Sequence, residues 1–141
     1  MERSIENSPE DVALGFIDAW NRHDMKAFAA LFSAEAHFVN VVGIWWKNQD
    51  EIEAAHAATH GTIFKHSHLE GEVSSVQSIA PEVVAVHVTW TLTGALAPDG
   101  VPAGMREGIL LLILTIEEAR WRIRVAQNTD IVHGAIVPPP R

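Results

Sequence analysis

The sequence predicts an α+β domain, with helices packed on one face of a mainly antiparallel sheet. Helical patterning with recognisable caps is confined to the region before Lys65. Period-two patterning then takes over and runs to Val132. The connections between those later segments are of hairpin length, as in a meander of strands.

Ser8-Pro9-Glu10-Asp11 starts the first helix: Ser is the N-cap, Pro sits in the first turn, and the acids face the positive end of the dipole. Val12, Phe16, Ala19 and Trp20 form its apolar stripe. Arg22-His23-Asp24 interrupts it, Asp24 caps again, and Met25 to Phe32 reads as a short second helix. Strand character follows from about Ala36 to Val42. Asn48-Gln49-Asp50-Glu51 is a variant capping box. It predicts a third helix to about Phe64 with Ile52, Ala55, His56, Thr59 and Ile63 on one face. Leu69 to Ile79, Val83 to Thr93, Met105 to Ile116 and Trp121 to Val132 read as strands. The connection GALAPDGVPAG is long and rich in Gly and Pro, which predicts a mobile loop at one end of the sheet. Pro138-Pro139-Pro140 favours an extended tail. With no repeat and no linker, residues 1–141 read as one domain with a core of about 10–132 and a Pro-rich tail, 133–141.

In GILLLILTI both strand parities are apolar, Leu110, Leu112 and Leu114 on one and Ile109, Leu111 and Ile113 on the other. A strand covered on one side alone should alternate with polar residues. Either the strand twists into its own core, or a second copy of the chain covers the outer face. The second is the simpler cover, and it predicts a homodimer.

Composition excludes several classes. A net charge of -8 with scattered basic residues argues against nucleic acid. The absence of cysteine removes disulfides, thiolate nucleophiles and cysteine-based metal sites. No apolar run approaches the roughly 20 residues of a spanning helix, and the N-terminal MERSIENSPEDV has no signal-peptide core. The expectation is a cytoplasmic protein without membrane partners.

FVNVVGIWW, residues 38–46, carries an amide, Asn40, inside an apolar run and ends on Trp45 and Trp46. A pure core strand needs no amide, so the segment reads as a wall of a cavity. FIDAWNRHDMKAFAALFSAEAHF, VNVVGIWWKNQDEI and WRIRVAQNTDI resemble the opening helices, first strand and closing strand of the nuclear transport factor 2-like superfamily, among its SnoaL-like members. The resemblance implies a cone: three helices on a strongly curved sheet enclosing a pocket. FVNVVGIWW, HAATHGTIFKHS and WRIRVAQNTDI together resemble the SgcJ/EcaC branch, which implies a setting in enediyne-type polyketide biosynthesis. It also implies that Trp45 and Trp46 sit near the cone's mouth, where flat aromatic area suits a ligand.

Catalytic relatives of this type, the ketosteroid isomerases, use an Asp base and a Tyr oxyanion donor. Here the Tyr position falls on Phe16 and the base position on Asn40, neither of which can do that chemistry. Histidine and carboxylate remain for proton transfer. On the third helix His56 lies about 40° from Ile52, inside the apolar stripe, and His60 about 80° away, at its edge. On the last strand Gln127 shares parity with Trp121, Ile123 and Val125, leaving Asn128 and Asp130 on the other face unless a bulge intervenes.

The expected inner set is therefore Phe16, Trp20, Asn40, His56, Trp90 and Gln127, with His56, Asn40 and Gln127 as candidate catalytic groups. Trp45, Trp46 and His60 add ligand contacts. His56 reads either as a buried imidazole bonded to a backbone or amide partner, as a general acid/base, or as half of an i,i+4 metal pair with His60. The first two are favoured, so no metal or cofactor is expected. Arg106-Glu107 reads as a surface pair. Three functions compete: an enzyme moving protons on a polyketide-derived polyene, a non-catalytic protein that shelters such a molecule, and a structural dimer whose cone is filled by its own side chains.

Overall fold

In the computed structural model, which describes residues 4–135, the element order is α1 (Pro9–Asn21), α2 (Met25–Ala29), β1 (Phe32–Val39), β2 (Trp45–Trp46), α3 (Gln49–His60), β3 (His68–Ala80), β4 (Val83–Thr93), β5 (Arg106–Glu117) and β6 (Arg120–Asp130). The triproline segment lies outside the described residues. One six-stranded sheet has the order β2-β1-β6-β5-β4-β3. Neighbours are antiparallel except β1 and β6, which run parallel, so the sheet is mixed. A parallel pair needs a long connection, and everything from β2 to β5 supplies it.

Polar caps set each helix start. Ser8 Oγ accepts the Asp11 N–H at 3.1 Å while the Asp11 carboxylate accepts the Ser8 N–H at 3.0 Å. Asp24 and Asn48 accept the N–H groups of Ala27 and Glu51 at 3.0 and 2.8 Å.

Element ends differ from expectation where the backbone finds better partners. The second helix stops at Ala29, because the Leu31 carbonyl accepts the Ile123 N–H at 2.8 Å and Phe32 pairs with Ile123 in the sheet. β1 stops at Val39 because Asn40 Oδ1 accepts the N–H groups of Val42, at 3.1 Å, and Ile44, at 2.8 Å. That Asx-type turn closes the β1–β2 hairpin. α3 stops at His60 with Gly61 as its cap, and the Phe64 N–H returns to the Thr59 carbonyl at 2.7 Å. The Gly/Pro-rich connection is tied to this turn by Leu96, whose N–H donates to the Ile63 carbonyl at 2.9 Å.

Helices α1 and α3 cover one sheet face. Val86, Val88, Leu110, Leu112, Leu114 and Ile123 from that face are buried with Val12 and Phe16 of α1 and Ile52 of α3. The other face carries Ile109, Leu111, Ile113 and Val125, and among the described residues nothing covers it: Ile109 is 42% exposed and Val125 39%. The double apolar parity of β5 thus marks a two-faced strand and not one twisted into its own core.

One irregularity matters for the site. Ile113 pairs with Val125 but Leu114 pairs with Ile123, so Arg124 is an extra residue in β6. A bulge of this kind inverts side-chain parity beyond it. Ile123 and Ala126 are both buried as a result.

Candidate ligand pocket

A cavity of about 400 Å³ lies between α1, α3 and the covered sheet face. It occupies the end of the sheet where β1, β4 and β6 finish and β3 and β5 begin. α1 contributes Phe16 and Trp20, and the β1–β2 hairpin contributes Phe38, Asn40, Val41 and Trp46. α3 contributes His56 and Thr59, and the sheet contributes Leu69, Val88, Trp90, Leu110 and Asn128. Small-ligand sites are of this kind, roughly 300–1,000 Å³ with mostly apolar walls. The side chains of the described residues do not fill the space, which counts against the reading of a structural dimer with a filled cone.

The large aromatics are fixed, not loosely packed. Trp20 Nε1 donates to Ser67 Oγ at 3.1 Å. Trp90 lies across β5 at Gly108 and its Nε1 donates to Asn128 Oδ1 at 2.7 Å. A Cβ at position 108 would stand 2.1 Å from Trp90 Cζ2, so only glycine lets the indole cross. Trp46 meets the His56 ring at 5.0 Å between centroids and 62° between planes.

His56 is 5% exposed. Its Nδ1 lies 2.7 Å from the Ile52 carbonyl, so Nδ1 carries the proton and donates, and Nε2 is a bare lone pair. Nε2 has no partner among the described residues, and His56 lines the pocket. Burial pushes the imidazole down to about 4 against the opposing effect of the Ile52 bond, so it is neutral near pH 7.

The two amides are oriented by their donors. Backbone N–H groups fix Asn40 Oδ1, and the donor-only Trp90 Nε1 fixes Asn128 Oδ1. Among the described residues neither amide's Nδ2 has a partner, so each can donate. Among the described residues Arg106 is the one charged side chain in the wall, and it is paired with Asp130.

Six of the expected residues come together here: Phe16, Trp20, Asn40, Trp46, His56 and Trp90. Asn40 lines the pocket from a turn rather than a strand, with its oxygen already used. Three expectations are corrected. Gln127 is exposed, because the Arg124 bulge turns it outward and brings Asn128 in. Trp45 is 54% exposed on the opposite side of β2 from Trp46. There its Nε1 donates to His37 Nδ1 at 3.1 Å and Lys47 Nζ lies 4.6 Å above its ring. His60 packs behind Trp20, 4.4 Å between centroids, with its Nδ1 2.8 Å from His23 Nδ1. It is buried but outside the pocket wall, and burial first, then the His23 and His56 imidazoles, push it down to about 4.

His56 and His60 thus look toward different neighbours, and among the described residues no three His, Asp or Glu side chains converge. Arg106, read as a surface residue, was the clearest omission. It shares parity with Leu110, Leu112 and Leu114, and that alone points it inward.

A mixed sheet carrying helices on one face and an apolar pocket with a few oriented polar groups defines an α+β domain with a cavity of small-ligand size. The chain belongs to the SnoaL-like domain family, whose model matches residues 13–135. An uncharacterised protein with a cystatin-like fold from Caulobacter vibrioides is 30% identical, with 86% of each chain covered and a TM-score of 0.81. A domain of unknown function with the same fold from Nostoc punctiforme is 27% identical over 95% of this chain and 82% of that one, TM-score 0.79. A ketosteroid isomerase-like protein from Erwinia carotovora atroseptica shares the fold at 17% identity, TM-score 0.72, over 87% and 93% of the two chains. No curated protein matches the sequence. Among the described residues no helix is long and apolar enough to cross a membrane.

Proposed function

We propose that the pocket binds a largely apolar, unsaturated carbonyl compound and that His56 moves a proton on it. The observation that carries this is the neutral imidazole in the apolar wall, with Nδ1 committed to Ile52 and Nε2 without a partner among the described residues. Nε2 takes a proton from the carbon next to the carbonyl and becomes imidazolium. The electron pair moves onto the oxygen as a dienolate, held by the free amide donors of Asn40 and Asn128. The imidazolium then returns the proton to the distal carbon of the conjugated system. The double bond has shifted, every atom is accounted for, and no co-reactant is needed.

The ligand class we propose is a polyketide-derived polyene of the enediyne type, handled in the cytoplasm by a homodimer. This finer reading draws on the likeness of FVNVVGIWW and WRIRVAQNTDI to the SgcJ/EcaC branch. The uncovered face around Ile109, Leu111 and Ile113 supports the dimer. A second reading, sequestration without chemistry, is favoured by one observation: the chain has no tyrosine, and among the described residues no carboxylate is in the wall.

His56→Gln separates the two. With a β,γ-unsaturated polyenone in D₂O, wild type should exchange the protons next to the carbonyl, and His56→Gln should lose that exchange by 10²-fold or more, the usual scale of general base catalysis. Quenching of tryptophan fluorescence by the same compound should persist in the variant. Undiminished exchange in His56→Gln removes His56 from the mechanism, and binding without exchange in wild type leaves sequestration.

A further inference from the structure

We propose that Arg106 is the head-group anchor of this pocket, and that the Arg106–Asp130 pair selects a neutral carbonyl oxygen over a carboxylate. The proposal rests on the ligand-binding reading above and narrows its substrate class.

Arg106 stands at the first position of β5, facing Leu92 of β4 across the ladder, at the end of the sheet where the pocket opens. Its parity with Leu110 turns it inward. Every other residue in the wall is apolar or uncharged, His56 included at neutral pH. One guanidinium nitrogen, Nη2, makes both contacts to Asp130, at 2.9 Å to Oδ1 and 3.1 Å to Oδ2. Nε and Nη1 have no partner among the described residues, so donors remain for a ligand. The side chains of both partners are about one-third exposed, so the pair is at the mouth and not in the floor.

The charge arrangement decides what those donors accept. Asp130 already compensates Arg106, so the pair is net neutral. An incoming carboxylate gains from the guanidinium but must give up water and sit beside a second anion. A ketone, ester or aldehyde oxygen accepts the same N–H without either penalty. The neighbouring charges offer no relief: Glu107 lies on the other face and is 2.8 Å from His133 Nε2. At an effective dielectric of about 20, the repulsion from Asp130 at about 6 Å offsets most of the attraction to the guanidinium at about 4 Å. The water that a carboxylate must give up then decides, and we expect about a tenfold preference for the neutral oxygen.

The matched probes are trans-parinaric acid and its methyl ester, conjugated polyenes that differ in the head group alone and quench tryptophan on binding. Wild type should bind the ester about tenfold more tightly than the acid at pH 7.5. Asp130→Asn should leave the ester within about threefold and tighten the acid about tenfold, closing the gap. Arg106→Gln should weaken the ester about tenfold, the loss of a hydrogen bond to a charged donor. A wild-type preference for the acid, or an ester-to-acid ratio unchanged in Asp130→Asn, overturns the anchor while leaving the pocket reading intact. Failure of both probes to bind folded wild type overturns the pocket reading and the anchor with it.

Discussion

Replacing Gly108 with Ala tests how the pocket is built. The added methyl would lie 2.1 Å from Trp90 Cζ2, 2.4 Å from Cε2 and 2.6 Å from the Thr129 carbonyl oxygen. None of these is the loose end of a flexible chain. The indole is held by its 2.7 Å bond to Asn128, and Thr129 is backbone within β6. Overpacking at such a site costs about 1–3 kcal/mol. If the indole swings away, the Asn128 bond goes with it, a further ~1 kcal/mol. Alanine in a strand recovers about 0.5–1 kcal/mol over glycine. The net expectation is a loss of about 2–3 kcal/mol, or roughly 5–10 °C in melting temperature for a chain of this size.

Urea and thermal unfolding followed by circular dichroism would read the stability, and tryptophan emission would read the displaced indole. In a double-mutant cycle, Trp90→Ala should absorb much of the Gly108→Ala cost, because the indole contacts disappear and the Thr129 contact alone remains. Gly108→Ala melting within 1 °C of wild type, with unchanged emission, would show that β5 and Trp90 are not packed as described.

Two further predictions concern acid and assembly. His56 falls from 6.5 to about 4 on folding, so between those values the unfolded chain binds more protons. Stability is then full above about pH 6.5 and is lost as pH falls toward 4. Through His56 alone, going from pH 6.5 to 5 costs about 1.5 kcal/mol. A urea series across that range should show a shallower decline in His56→Gln, and an equally steep one would contradict the neutral buried imidazole. For assembly, Leu111→Asp places a charge among Ile109, Ile113 and Val125 and should turn a dimer into a monomer by light scattering at micromolar concentration. A monomeric wild type, or a variant that stays dimeric, would move the interface elsewhere.

Much of the fold was legible because short-range signals agreed with one another. Ser8, Asp24 and Asn48 announced the helix starts through cap chemistry, which depends on a few adjacent residues. β4 was read to the residue from Val83 to Thr93, where hairpin connections and alternation coincide. What failed depended on distant partners. Nothing local says that Phe32 leaves a helix, because its reason is Ile123, far along the chain. Gln127 and Asn128 exchanged roles through the unpaired Arg124, which only the β5 register reveals. Trp45 and Trp46 look alike in sequence, and strand alternation alone sends one out and one in. Arg106 was different: its parity was readable, and the nearby Glu107 and the loop drew it to the surface instead.

The depth of His56 bears on why an imidazole would replace a carboxylate as the base on the proposed reading. A carboxylate base in an apolar pocket is charged before the ligand arrives, and desolvating that charge raises its pKa and opposes entry of an apolar molecule. An imidazole pushed down to about 4 has nearly the proton affinity of an ordinary carboxylate but is neutral while it waits. A neutral ligand therefore meets a wall whose charged member, Arg106, is compensated by Asp130. Charge appears only at proton transfer, when imidazolium and dienolate form together as an opposed pair within the cavity. That pair is attractive at short range, but the dienolate oxygen also needs donors that do not have to be pulled from water. The free Nδ2 groups of Asn40 and Asn128 fit that requirement because their oxygens are already held, by the hairpin turn and by Trp90. The amides that cannot act as bases are then the groups that allow a neutral base to work.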